Sequence, residues 1–171
     1  MASNMDLIVF AQSGHVLAAA LRNQTGGAAP TMADFVGDGL WLRNPSTGLR
    51  EITVAPEYLS AATTPLRDDV LVVARHFQVV DGMPEEKAEL TGATPVALDG
   101  TDITLTLPAA VLSDTEAWVL IESATGTIVQ KVDVLEGDSN ATVLLALSNG
   151  TYQVLVLVPG YRMRVVEVTV V

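Results

Sequence analysis

The sequence contains no cysteine, which removes disulfide frameworks, thiolate metal sites and cysteine nucleophiles together. Aromatic residues make up only 5% of the 171 residues, too few for an extended stacking surface, so Trp41, Tyr58, Trp118 and Tyr152 read as core residues rather than a sugar platform. Basic residues are also scarce, nine against twenty acidic ones, for a formal net charge of −11. Without a basic stripe to displace counterions from phosphates, no nucleic-acid partner is expected. No apolar run reaches bilayer-spanning length, so no membrane partner is expected either. The N-terminal M-A-S-N-M-D-L-I-V-F lacks a basic flank and is interrupted soon after, so it is not read as a signal peptide. The compartment stays open.

Catalytic and metal signatures are equally thin. His15 and His76 stand at no ligand spacing, and Ser13 in A-Q-S-G-H is not a nucleophile elbow. The glycines of Gly26-Gly27 and Gly37-Asp38-Gly39 are not followed by the lysine and helix of a phosphate loop. Asp99-Gly100-Thr101-Asp102 and Glu136-Gly137-Asp138-Ser139-Asn140 are rich in oxygen ligands, but Asp, Asn, Ser and Gly are what turns need in any case. The expectation is therefore no enzyme, no cofactor and no metal.

What the chain has in quantity is aliphatic surface. Apolar residues reach 49% while charged ones stay at 17%, more than a solitary domain of this size needs, which implies burial between subunits. The apolar residues come in strand-length runs separated by turn dipeptides. Residues 142–170 read T-V-L-L-A-L-S, Asn149-Gly150, T-Y-Q-V-L-V-L-V, Pro159-Gly160, then Y-R-M-R-V-V-E-V-T-V. That pattern predicts a three-strand antiparallel meander with a tight hairpin at Asn149-Gly150. Its middle strand places Tyr152, Val154, Val156 and Val158 on one face and Thr151, Gln153, Leu155 and Leu157 on the other, which is half apolar, so it should be covered on both sides.

Upstream, residues 7–21 read as a hairpin around Gln12-Ser13-Gly14-His15, with a helical turn as the alternative for the Ala-rich second half, and residues 41–54 as strand, turn, strand. Pro56 starts one helical turn. Residues 69–80 (D-V-L-V-V-A-R-H-F-Q-V-V) read as a strand closed by Asp81-Gly82. Residues 83–95 have linker composition. Residues 24–39 show no periodicity, yet carry Met32, Phe35 and Val36 among small residues. Such a segment suits an extended loop or arm that orders on a neighbouring subunit. The two Trp-led hairpins, at Trp41 and Trp118, echo one another; duplication and chance both account for that.

The run Leu147-Ser148-Asn149-Gly150-Thr151-Tyr152, followed by Val158-Pro159-Gly160-Tyr161 and a strand ending Val166-Glu167-Val168-Thr169-Val170, resembles the close of carboxypeptidase regulatory-like (transthyretin-like) β-sandwich domains. The resemblance covers about residues 97–171 and implies a non-catalytic accessory module in which the Tyr152 hydroxyl pins a corner, with Tyr161 after the flexible Gly160 mattering less.

The expected fold is all-β: a β-rich region over 1–82 with an extended loop or arm, a linker over 83–95, and an antiparallel sandwich of transthyretin or immunoglobulin type over 96–171. The expected function is a structural or interaction protein of a larger homomeric assembly, most concretely a phage virion accessory protein of the head-decoration or tail kind. Its partners would be copies of itself or other subunits. The alternative is an extracellular carbohydrate- or protein-binding sandwich module.

Overall fold

The computed structural model describes residues 5–22, 31–43, 51–65, 68–92 and 95–171. In chain order the elements are β1 (Met5–Ala11), β2 (Val16–Arg22), α1 (Met32–Val36), β3 (Leu40–Arg43), β4 (Glu51–Val54), β5 (Leu59–Pro65), α2 (Asp68–Val73), β6 (Phe77–Val80) and β7 (Met83–Glu86). They continue with β8 (Val96–Leu98), β9 (Asp102–Thr106), β10 (Thr115–Ser123), β11 (Gly126–Val134), β12 (Asn140–Leu144), β13 (Gly150–Leu157) and β14 (Arg164–Val170). The strands form antiparallel sheets ordered β2-β1-β5, β11-β10-β13-β14 and β12-β9-β8, with two-stranded pairs β3-β4 and β6-β7. The fold is mostly β, with few helices.

The four-stranded sheet is the centre, and period-two alternation explains why. From β10 and β13, Ala117, Val119, Ile121, Val154 and Val156 enter one core with Val96, Leu98, Ile103 and Leu105 of the three-stranded sheet. The opposite face sends Trp118, Leu120, Leu155 and Leu157 into a second core with Val9, Leu17, Leu40, Leu42, Ile52 and Val54. The double-faced apolar pattern of β13 is thus matched by burial on both sides. Each such side chain contributes roughly 1.5–3 kcal/mol. Because the second core draws on both halves of the chain, neither half buries its apolar surface alone.

Four local expectations are corrected. β12 does not pair with β13; it pairs with β9 in the other sheet. Asn149-Gly150 is therefore no hairpin turn, and neither residue has positive φ. The chain between β12 and β13 crosses from one sheet to the other, with Leu145 and Leu147 resting on the first core. A tight two-residue hairpin with both turn residues at positive φ lies instead at Asp81 (φ 49°) and Gly82 (φ 79°), between paired Val80 and Met83.

Residues 69–80 are α2, a 3-10 turn over Ala74–His76, and only then a strand. The helical spacing i, i+3, i+4, i+7 decides it: Val70, Val73, Ala74 and Phe77 all meet a third core with Ile8 and Val16, while Val72 is 81% exposed.

Of the expected linker 83–95, residues 93 and 94 lie outside the described residues, and residues 83–92 are not a free linker. β7 pairs with β6, Ala88 bridges Tyr161, and Leu90 is buried in the first core. Within the expected arm, residues 24–30 lie outside the described residues, and the rest is an ordered helix. Thr31 Oγ1 accepts from the Asp34 amide while Asp34 Oδ2 accepts from the Thr31 amide, a reciprocal cap that starts α1. After it, Gly39 passes so close to Thr53 that a Cβ would lie 2.7 Å from its methyl group.

Candidate functional site

Three features lie outside ordinary core packing. The first is a buried polar lock. His15 follows the β1–β2 turn and is fully buried. Its Nδ1 is 2.9 Å from Ser13 Oγ, and its Nε2 is 2.8 Å from the Gln78 amide nitrogen and 3.1 Å from the Val158 carbonyl. Gln78 donates to the Val158 and Tyr161 carbonyls and accepts from the Gly160 amide. One side chain on β6 thereby satisfies the turn before β14. A proton on Nδ1, shared with Ser13, avoids two donors meeting at 2.8 Å, and the two Gln78 N–H hydrogens are then shared among His15 Nε2 and the Val158 and Tyr161 carbonyls. Burial pushes the His15 pKa down to about 4, against smaller opposing contributions from the Val158, Tyr161 and Ser13 backbone. Ser13 and His15 are thus in contact, but the third group is a carboxamide rather than a carboxylate, and the imidazole is sealed from solvent.

The second feature is a cavity of about 630 Å³ beside β14. Arg75, Arg162 and Arg164 line it with His76 and Glu89, and Leu90, Met163 and Val165 supply apolar wall. Arg162 and Arg164 reach across to residues 87–92: Arg162 Nε donates to the Lys87 carbonyl, and Arg164 Nη1 to those of Leu90 and Gly92. These bonds fix the segment that composition marks as a linker. Arg162 also pairs with Glu86 at 2.7 Å. Arg75 is half-buried, donates through Nη1 to the Arg43 carbonyl, and has its pKa lowered by burial. Arg75 and Arg164 have no carboxylate partner among the described residues.

The third is a pair of stitched loops. Val111 donates to the Asp138 carbonyl, Gly137 to the Val111 carbonyl, and the Glu136 amide to Asp114 Oδ1, each at 2.9 Å. These tied loops carry Leu112 at 93% and Leu135 at 58% exposure.

The residues singled out from sequence fall in different places. Val36 is buried and Met32 half-buried, both against the chain's own second core rather than reserved for a neighbour; Phe35 is 39% exposed. Tyr152 is half-buried on the first core, and its hydroxyl donates to the Ser148 carbonyl at 2.7 Å. Tyr161 also rests on that core, and its carbonyl belongs to the polar lock. Trp118 is buried, with Tyr58 edge-on at 6.1 Å and Lys131 over its ring at 4.6 Å. Its Nε1 donates to Glu116, whose pKa is lowered chiefly by Lys131. Trp41, read from sequence as a core residue, is instead 69% exposed. Tyr58 and Trp118 therefore pack together and offer no free stacking face.

Asp99 Oδ1 accepts from the amides of Thr101 and Asp102 and from the Thr101 hydroxyl, which lowers its pKa and makes it a turn residue. Among the described residues no group of three His, Asp or Glu side chains is placed to hold a metal. The arginine cavity is invisible to motif reading because its members come from three segments; the only trace in sequence is the alternation Arg162-Met163-Arg164. No protein-family model matches the chain, and no curated protein matches it.

Proposed function

We propose that the protein is a non-enzymatic structural or interaction component of a homomeric assembly. One observation carries the reading: Leu112 and Leu135 are held out to solvent by loops that are themselves tied by three hydrogen bonds. Ordering a loop costs conformational entropy, and leucines on its outer side return that cost only when something covers them. The most concrete form of the assembly is a virion accessory protein of the head-decoration or tail kind. In this reading the two sheets that share the first core form a sandwich of transthyretin or immunoglobulin type. The Tyr152 hydroxyl bond to the backbone four residues upstream supports it, since such tyrosine corners recur in these sandwiches.

Native mass spectrometry of the intact chain tests the function. A discrete homo-oligomer is expected, dissociating in the Leu112→Ser/Leu135→Ser double variant. A protein that stays monomeric at every accessible concentration overturns it.

A further inference from the structure

The chain carries twenty acidic residues against nine basic ones, yet some arginines have no carboxylate partner among the described residues. Two such arginines, Arg75 and Arg164, open into the same cavity, with Arg162 alongside. Their bonds to backbone carbonyls use only part of what each guanidinium offers: five N–H donors, in a planar fork matched to carboxylate and phosphate oxygens. Arg164 commits Nη1 and Arg75 commits Nη1, leaving Nε and Nη2 of both uncommitted among the described residues. Half-burying a cation with no counter-charge is unfavourable unless an anion completes the site.

The volume, about 630 Å³, lies within the usual range for small-molecule sites. The wall is mixed: Met163 and Val165 are apolar, and Glu89 is the one carboxylate among the lining residues. A carboxylate there repels a second anionic group and favours a ligand hydroxyl or ammonium.

We propose that this cavity binds a small organic oxyanion, a phosphate or carboxylate group held by Arg75 and Arg164, with its apolar part against Met163 and Val165 and a hydrogen-bond donor toward Glu89. Binding here goes beyond the assembly reading, since all the lining residues come from one chain.

Isothermal titration calorimetry with inorganic phosphate in one arm and lactate in the other tests the proposal and separates the two headgroups. At least one should bind saturably, more weakly as salt is raised, and Arg75→Gln should weaken it on the order of tenfold or more. Thr91→Glu provides a second variant that removes no arginine and no tether: Thr91 is exposed at the cavity wall, and an internal carboxylate there should compete with the anion to a similar degree. Thermal melts confirm folding of each variant, and Thr91→Glu decides if Arg75→Gln does not fold. Absence of saturable binding by both anions, or unchanged affinity in the folded variants, overturns the proposal.

Discussion

His15 Nε2 lies 2.8 Å from the amide nitrogen of Gln78, across 63 residues of chain. This contact joins the β1–β2 turn to β6, and through the Val158 and Tyr161 carbonyls to the start of β14. A protonated imidazole would carry hydrogen on both nitrogens and set two donors against each other at Gln78. Burial and geometry thus favour the same neutral state.

Stability should therefore depend on pH through His15. Its folded pKa, about 4, is below the unfolded value of 6.5, so between these values the unfolded chain binds a proton that the folded chain refuses. The contribution is fully present above pH 6.5, falls as pH drops, and is lost by about pH 4. It amounts to about 3 kcal/mol. Denaturant midpoints across this window should slope in the wild type and flatten in His15→Leu; equal slopes would remove His15 as the cause.

Gln78→Ala should cost about 3 kcal/mol, because the Gly160 N–H and Tyr161 C=O lose their Gln78 partner together, while the Val158 carbonyl keeps the Tyr161 N–H. Chemical denaturation measures it. A loss below about 1 kcal/mol would mean that water replaces the amide.

Tyr152→Phe should be milder. The Ser148 carbonyl sits on an exposed residue, so water can take over, and the expected loss is roughly 0.5–1.5 kcal/mol. A larger cost would show that the bond holds the whole crossing segment 145–149.

Val70→Ala and Val72→Ala distinguish helix from strand in residues 69–80. A strand places both side chains on one face, whereas α2 buries Val70 and exposes Val72. Val70→Ala should cost roughly 1–3 kcal/mol and Val72→Ala close to nothing. Similar losses at both positions would contradict the helix.

The segment 96–171, expressed alone, should collect into aggregates or soluble oligomers, since Trp118, Leu120, Leu155 and Leu157 lose the cover given by β1, β3 and β4. A monomeric segment with native-like NMR dispersion would show that this face can stand uncovered.

Much of the β organisation was legible because it depends on near neighbours. Alternation along β13, the β1–β2 hairpin and the Pro56 turn follow from side-chain period and backbone preference. The double apolar face of β13 even announced that two layers would cover it.

Pairing partners were not legible, because Asn149-Gly150 signals a reversal without saying which sheet the next strand enters. Residues 69–80 read as a strand throughout, and the third core instead takes a helix over Asp68–Val73. The polar lock and the arginine cavity belong wholly to tertiary structure. Gln78 and Arg75 are unremarkable in sequence, and gain a role only where packing of the two halves removes water and leaves each to satisfy groups more than thirty residues away.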